Sequence, residues 1–432
     1  MLRHILVKFV GEEFKVIAFH IKSISFLTIA YALSSLMGFL INLLAAKKLE
    51  VSTFGLFSIA YTTTTWIAVI GNFGVGAGMI RIYNKYGHDE IKQKLVLKAS
   101  LFYVVLATLI IILTSSILSS FLLQILHIER EAKFLFLLSF LSGALFILWI
   151  YLQNYHQAIK KFKILSLLVL AYSILRAIFL LLVYLYYPKS STAWLLASYL
   201  LPISILILLF SHSFFYLLTH DFKSIRETID LLKEVINYSK WIALSSIAGS
   251  GILYFSRVIL AKVSTLEEVG IFSAGLNLAM GLTVIYTGLY SFLYPTITSF
   301  TKEQISKYFK LLVKTLPLYL LASLLGILLL GGVLWFYLGE RYVPAIPVFL
   351  ISSFSIGITM FLGLISMPLH TFMLAKVFAY VNIGRVFLVG LLTYLLGRYF
   401  GALGGALAYG SVMILGEIFM VYVVYNIMKK RS

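Results

Sequence analysis

The chain has 432 residues, 61% of them hydrophobic, a mean hydropathy of +1.00 and a net charge of +19 at pH 7. This is more apolar surface than a water-soluble core needs. The basic residues flank apolar runs and build no basic domain, so anionic membrane lipid, and no nucleic acid, is the expected charged partner. The absence of cysteine excludes disulfides and thiolate chemistry.

Residues 1–22 scatter Arg3, Lys8, Lys15 and Lys22 among Leu, Ile, Val and Phe, the pattern of an interfacial amphipathic segment. The apolar run that follows has no small-x-small exit and is expected to stay as a first span. Apolar runs able to cross a hydrocarbon layer of roughly 30 Å predict an all-α integral membrane protein with twelve transmembrane helices. Six lie in an N-terminal lobe, 1–218, near Ile24–Leu44, Phe54–Gly76, Leu97–Ile117, Phe134–Gln153, Ile164–Tyr186 and Ala193–Tyr216. Gly71, Gly74, Gly76 and Gly78 crowd the end of the second span, where small residues allow close helix packing. A short basic amphipathic stretch, Ile82–Lys98, follows it. Between the lobes, 219–240 contains the longest polar interruption, Asp221–Lys240. Ile225, Ile229, Leu232 and Ile236 recur there at helical spacing, which predicts a cytoplasmic amphipathic linker helix. The C-terminal lobe, 241–432, has spans near Trp241–Ala261, Val269–Pro295, Leu311–Phe336, Ala345–Pro368, Phe378–Gly397 and Gly401–Ile427. Gly401, Gly404 and Gly405 mark a tight turn into the last. Gly249 and Gly251, with Ser246 and Ser250, soften the seventh span: they serve either close packing or a hinge.

Of the 35 Lys and Arg, 24 fall on the side of the two termini, 8 on the other side, and three inside spans. That bias over short loops puts both termini in the cytoplasm of a multi-pass protein of the cell membrane.

The two halves are related. Ala32–Gly38 (ALSSLMG) recurs as Ala243–Gly249 (ALSSIAG), and AKKLEVSTFGLFS at Ala46–Ser58 matches AKVSTLEEVGIFS at Ala261–Ser273. The offsets, 211 and 215, both fall beside half of 432. Two related membrane lobes imply a central cavity between them and alternating access to it.

Charges inside spans are few: Arg176, Arg257, Arg385 and Glu417. Each costs about 2.5–3.5 kcal/mol at the centre of a span unless it meets water or a partner. Arg176 (AYSILRAIF) and Arg385 (AYVNIGRVF) lie 209 residues apart in similar surroundings, as near-equivalents of the two lobes. They are expected to line a shared water-filled cavity, with Arg257 nearer its outer mouth, making a cationic pocket for phosphate because guanidinium grips it with two parallel bonds. The alternative is snorkelling or pairing with backbone carbonyls. Glu417 either carries a proton or pairs with an arginine. Asn42, Asn72 and Asn382 join the arginines as candidate substrate contacts, the alternative for them, as for Asn277 and Gln153, being interhelical hydrogen bonds. There is no G-x-x-x-x-G-K-[ST] loop, the eight histidines show no metal spacing, and the loops are too short for a catalytic domain. No enzyme, metal or cofactor is expected.

AAKKLEVSTFGLFSIAY after the first span, GNFGVGAGMIR at the end of the second, QNYHQAIKKFK closing the fourth, and Asn382 followed by GALGGALA at Gly401–Ala408 together resemble the polysaccharide transporters. These are the Wzx-type O-antigen and exopolysaccharide flippases of the multidrug/oligosaccharidyl-lipid/polysaccharide superfamily. The resemblance implies two six-helix lobes rocking around a cationic cavity and passing a polyprenyl-diphosphate-linked oligosaccharide from the cytoplasmic to the outer leaflet. Polysaccharide polymerase and assembly proteins would be partners of a monomeric transporter. Many such relatives carry an acid beside the seventh-helix arginine, where this chain has Ser256, which leaves open proton coupling, sodium coupling or membrane potential alone. The alternative is a multidrug or metabolite antiporter of the same superfamily. Such proteins place carboxylates in the first lobe, and this chain has no Asp or Glu in its first six spans.

Overall fold

The computed structural model describes residues 13–128, 130–219, 225–283, 297, 302–370 and 375–430, and these are entirely helical apart from turns. In chain order the α-helices are α1 (Glu13–Lys48), α2 (Val51–Asn72), α3 (Val75–Lys85), α4 (Glu90–Leu126), α5 (Lys133–Ala158), α6 (Phe162–Tyr186), α7 (Ser191–Leu195) and α8 (Leu201–Thr219). They continue as α9 (Ile225–Val263), α10 (Leu266–Ala279), α11 (Lys302–Gly332), α12 (Ala345–Ser366) and α13 (Ala375–Lys430). A π-helical turn, Leu196–Leu200, joins α7 to α8, and a 3-10 turn, Met280–Leu282, extends α10.

Ten stretches among the described residues are long and apolar enough to cross a membrane. One of them is α13, which doubles back at Gly401 (φ 53, ψ −129), so it supplies both the eleventh and the twelfth expected spans. Only glycine adopts that backbone without strain. The Glu268 carboxylate occupies the space a Cβ would need and accepts the Ala402 N–H at 2.6 Å, capping the last helix. The eighth expected span is helical as far as Thr283; the rest of it, 284–296, lies outside the described residues. So do 1–12 of the expected N-terminal interfacial segment.

The second span ends in two left-handed residues, Phe73 (φ 40) and Gly74 (φ 67), and restarts as α3. α3 lies against α9, close enough that a Cβ on Gly78 would stand 2.6 Å from the Val235 carbonyl oxygen. This close docking corrects the expectation for the linker. Residues 225–240 form no separate helix: they are the first turns of α9 and run unbroken into the seventh span. Leu231 and Val235 are buried among Val75, Met79, Ile82, Leu95 and Val96 of the first lobe, whereas Ile229, on the predicted apolar face, is 46% exposed. The buried stripe is the one facing the gap that glycine opens in α3. Lys85 and Tyr86 reach the Glu234 carboxylate there, at 2.5 and 2.9 Å. At its other end α9 packs on α13, so this one helix is anchored in both lobes.

Within the first lobe α1 packs on α6, and α5 on both α2 and α4; within the second, α12 packs on α13 and α10 on α12. The lobes meet through α2 against α10 and α9, and α1 against α10. The α2–α10 contact is reciprocal. A Cβ on Gly55 would collide with the Leu266 carbonyl oxygen, and one on Gly270 with the Val51 carbonyl oxygen. Gly55 and Gly270 are partners at the 215-residue offset, and so are Val51 and Leu266. The crossing is therefore a pseudo-twofold contact in which each lobe offers the other the same surface. Around it, Lys47 donates to the Tyr337 carbonyl, Arg341 to the carbonyls of Lys47 and Leu49, and the Tyr342 hydroxyl to Ala46 O at 3.0 Å. A cation from each lobe thus satisfies free carbonyls at a helix C-terminus of the other.

A bulky residue at Gly55 should hold the lobes apart at this end. The chain has no native cysteine, so spin labels on Glu50→Cys and Glu340→Cys, both exposed beside the crossing, report on it alone. Gly55→Leu is expected to move the label-to-label distribution from a single short distance to a longer, broader one in folded protein. An unchanged short distance would mean that the crossing does not control closure.

Candidate functional site

One turn beyond the glycine crossing, the helices that meet there part around a cavity of about 330 Å³. Its wall carries Ser35 and Asn42 from α1, Ser58, Tyr61, Thr62 and Thr65 from α2, Arg257 from α9, Asn277 from α10, and Tyr199 and Thr283. Among the described residues no Asp or Glu lines it. The repeat organises this wall. At the 215-residue offset Asn42 corresponds to Arg257, Ser58 to Ser273 and Thr62 to Asn277, so homologous positions of the two lobes face one another across the pseudo-twofold.

Arg257 is 2% exposed and bonded to neutral groups. Its Nε donates to Ser273 Oγ at 3.0 Å, Nη1 to Leu253 O at 3.2 Å and Nη2 to Asn277 Oδ1 at 2.8 Å. Among the described residues no carboxylate pairs with it, and Ser256 beside it turns back onto Ile252 O. Three of five donors are used, which leaves two and a full positive charge at the cavity wall. On the symmetric side Ser58, which matches the serine holding Arg257, is 2% exposed and its hydroxyl has no partner.

Arg176 stands behind the same wall. Its guanidinium lies over the rings of Tyr172 (5.1 Å) and Tyr199 (5.7 Å), and its contacts to Tyr61 Oη and Ser34 O are long, at 3.4 and 3.5 Å. Its Nε is buried without a partner. Tyr61, Tyr199 and Gly38 come between it and the cavity; a Cβ on Gly38 would stand 3.6 Å from the Tyr61 hydroxyl and 3.8 Å from Nη2. This is a cation held by aromatic faces, with no carboxylate paired to it among the described residues.

Arg385 differs from its expected partner. Its Nη2 meets Glu417 Oε1 at 3.1 Å and Met413 O at 3.1 Å, and its Nη1 meets Asn382 Oδ1 at 3.2 Å. Glu417 is held from its other oxygen by Ser366. The fold of α13 at Gly401 causes this, by bringing Glu417 on the returning half back against Arg385 on the outgoing half. Neither Arg176 nor Arg385 lines the 330 Å³ cavity, which takes Arg257 alone of the three arginines, so the expectation that Arg176 and Arg385 share it is corrected. In each lobe the surroundings of this arginine include a contact to the first helix at a serine of the repeat, made by a different residue in each case. Arg176 reaches Ser34 O, and Asn382, one turn before Arg385, reaches Ser245 O at 3.2 Å and Ser245 Oγ at 3.0 Å; Ser34 and Ser245 are partners in the repeat. The difference is that the first lobe has no acid to return a carboxylate to its arginine.

Asn42 lies on the cavity wall, donating to Gly38 O at 2.9 Å and accepting from Asn277 at 3.1 Å. Asn72 ends α2 away from that wall, with its Oδ1 buried and unpartnered. Gln153 accepts from Tyr31 at 3.4 Å. Gly249 and Gly251 lie in unbroken helix. A Cβ on the first would stand 3.4 Å from Asn382 Nδ2, and one on the second 3.2 Å from the Trp66 indole nitrogen. That indole donates to Ile247 O at 3.2 Å and its ring stacks on Tyr254 at 4.3 Å, pinning α9 to the first lobe at its middle. Among the described residues no three His, Asp or Glu gather to hold a metal. The tyrosines around Arg176 were not identifiable in the sequence among 28 such residues; Ser58, Ser273 and Asn277 were within reach of the 215-residue offset.

Removing one member of the buried Arg385–Glu417 pair leaves an uncompensated charge. Arg385→Ala or Glu417→Ala should therefore cost about 3–5 kcal/mol, while Arg385→Met with Glu417→Leu should recover most of it. Thermal unfolding in detergent checks this. Single variants as stable as the double would deny the pair its neutralising role.

Three comparisons bear on this arrangement. No curated protein matches the chain by sequence. Among solved structures, an inward-facing multidrug resistance MATE family transporter of the MOP superfamily superposes with a TM-score of 0.69 at 14% identity, over 92% of this chain and 96% of that one. The lipid II flippase MurJ in an inward closed conformation gives 0.66 at 14%, over 92% and 87%. A MOP superfamily transporter from Pyrococcus furiosus, described as having a binding pocket of reversed polarity, gives 0.62 at 14%, over 94% and 96%. At these identities the likeness is one of fold. The family model described as polysaccharide biosynthesis protein matches residues 20–301, well over half of the sequence, and the chain belongs to that family.

Proposed function

We propose that the protein is a flippase. It carries a polyprenyl-diphosphate-linked oligosaccharide from the cytoplasmic to the outer leaflet for cell-surface polysaccharide assembly, by alternating access around the cavity between the lobes. With the twelve spans expected from the apolar runs, the charge bias of the loops puts both termini in the cytoplasm, so the glycine crossing lies at the outer end, closed in this state. The observation that carries the reading is Arg257. Burying a guanidinium with only neutral partners among the described residues, at the edge of a cavity that no described acid lines, is costly unless an anion enters that cavity. A diphosphate fits its two spare donors, and Ser58, Thr62 and Tyr61 offer neutral hydrogen bonds to sugar hydroxyls or phosphate oxygens, whereas the Asn42 amide is already engaged at both ends by Gly38 and Asn277. Arg176, behind Tyr61, adds a second positive charge to the same end of the cavity. Arg385, Asn382 and Glu417 support the second lobe as a neutral unit.

The membrane potential suffices as a driving force. A head group with about two negative charges leaving a cell that is negative inside gains roughly 4–5 kcal/mol per 100 mV. Neither proton nor sodium is required, and Glu417, the one acid buried in a described span, is already held by Arg385. Rocking of the lobes bends α9 between its two anchors, in the segment that holds Ser246, Gly249, Ser250 and Gly251. A multidrug or metabolite antiporter for cations is the second reading, and the acid-free cavity disfavours it. Anionic lipid at the cytoplasmic face and polysaccharide assembly proteins are the partners this role calls for.

Flipping of a fluorescent polyprenyl-diphosphate sugar in proteoliposomes tests the reading. Arg257→Ala should reduce the rate at least about 100-fold, the cost of removing one charged donor from a buried charge. Arg257→Lys should restore only part, because a point charge replaces a planar fork. Wild-type flipping in Arg257→Ala would refute the anion site. Collapsing a potential that is negative on the donor side should slow the native protein; an unchanged rate would refute the electrical drive.

A further inference from the structure

The hydrogen bonds around Arg257 form a directed chain that crosses between the lobes. Arginine only donates, so the side of Asn277 facing it must be the amide oxygen, at 2.8 Å. The Asn277 amide nitrogen then points to Asn42, whose oxygen accepts it at 3.1 Å. The nitrogen of Asn42 is left for the Gly38 carbonyl, at 2.9 Å, which can only accept. Donor-only and acceptor-only ends fix both amide orientations without ambiguity. The chain runs from α9 through α10 of the second lobe into α1 of the first. Its one interlobe link, Asn277 to Asn42, lies two turns beyond the glycine crossing.

We propose that Asn277 is a positioning residue that ties the anion affinity of Arg257 to closure of the lobes at the 48–51 end. This rests on the flippase reading. With the lobes closed, Asn42 holds the Asn277 amide, and that amide holds Nη2, so the guanidinium presents its two free donors in one fixed orientation to the cavity. Separation of the lobes at that end breaks the Asn42 link. Asn277 then turns freely, the fork loses its fixed partner, and an anion bound to it loses preorganised donors. Because coupling between a ligand and a conformational equilibrium is reciprocal, an anion at Arg257 favours the closed state, and opening weakens its hold. A cargo loaded with this end closed is thereby released as it opens. Ser273 takes no part in this switch: it stays with Arg257 inside the second lobe whichever way the lobes move.

The test uses the full-length protein spin-labelled at Glu50→Cys and Glu340→Cys, with inorganic pyrophosphate as the probe. In the native background pyrophosphate should raise the ratio of short-distance to long-distance populations by about tenfold, within the usual 5–150-fold range of such couplings. Asn42→Ala removes the interlobe link and leaves Arg257 and Asn277 untouched. It should still bind pyrophosphate, measured by calorimetry, while the population response falls to about twofold or less. Asn277→Leu should behave in the same way, with weaker binding in addition. Arg257→Ala should remove binding and response together. A full population response in both Asn42→Ala and Asn277→Leu, with binding intact and lost in Arg257→Ala, overturns the relay and leaves the flippase reading standing. Native protein that binds no pyrophosphate, or binds it equally in Arg257→Ala, overturns that reading and the relay with it.

Discussion

Two backbones approach too closely for any side chain where α2 crosses α10, and much of the molecule follows from that contact. Gly55 meets the carbonyl of Leu266 and Gly270 meets the carbonyl of Val51, with all four residues paired at the 215-residue offset. A contact that is its own mirror under a twofold forces the lobes into pseudo-symmetric register. Once they are in register, the positions one and two turns farther along α2 and α10, Ser58 with Ser273 and Thr62 with Asn277, come out near the axis. The helices diverge there, and the cavity opens between residues of the same repeat position. In a membrane such a crossing holds by close packing, because apolar attraction between helices is largely absent in lipid.

The chemistry of the site comes from what the duplication did not keep equal. The two lobes retain an arginine at corresponding places, 176 and 385; Arg176 reaches the serine-rich first helix of its lobe directly, whereas Arg385 bonds Asn382, which in turn reaches Ser245. Only the second lobe also carries a glutamate within its expected spans, and the fold at Gly401 turns it onto its arginine. The charge of Arg385 is thus neutralised within its own lobe. The first lobe surrounds its arginine with three tyrosines, which stabilise a cation without cancelling it. Arg257 occupies the position of Asn42 and adds a second uncancelled charge. The cavity is therefore positive through the absence of carboxylates at a few positions more than through an accumulation of arginines.

Much of this was legible in the sequence. Apolar runs, the repeat and the glycine turn at 401 are local features written directly in composition and spacing, and the family resemblance rests on residues at the lobe crossing, at the break between α2 and α3, at the end of α5 and in α13. The errors were of long range. Arg176 and Arg385 are alike in their sequence neighbours, whereas only Arg385 meets Glu417, 32 residues away and beyond a turn. The stretch after 225 looked like a linker because it is polar, yet Gly78 makes room for its backbone in the first lobe. Its buried face is therefore set by the partner and not by the helical spacing of its isoleucines. The tyrosines around Arg176 come from three different helical segments, and nothing in their own sequence surroundings distinguishes them.

The central claim is that a diphosphate binds between the lobes at Arg257. The most direct measurement is an experimental structure of the protein with a polyprenyl-diphosphate sugar bound. The account predicts phosphate oxygens within hydrogen-bonding distance of the Arg257 guanidinium, with Asn277 still bridging to Asn42 and the Arg385–Glu417 pair intact. A diphosphate seated instead on Arg385, with Glu417 displaced, or a head group that leaves Arg257 without contact, would contradict it.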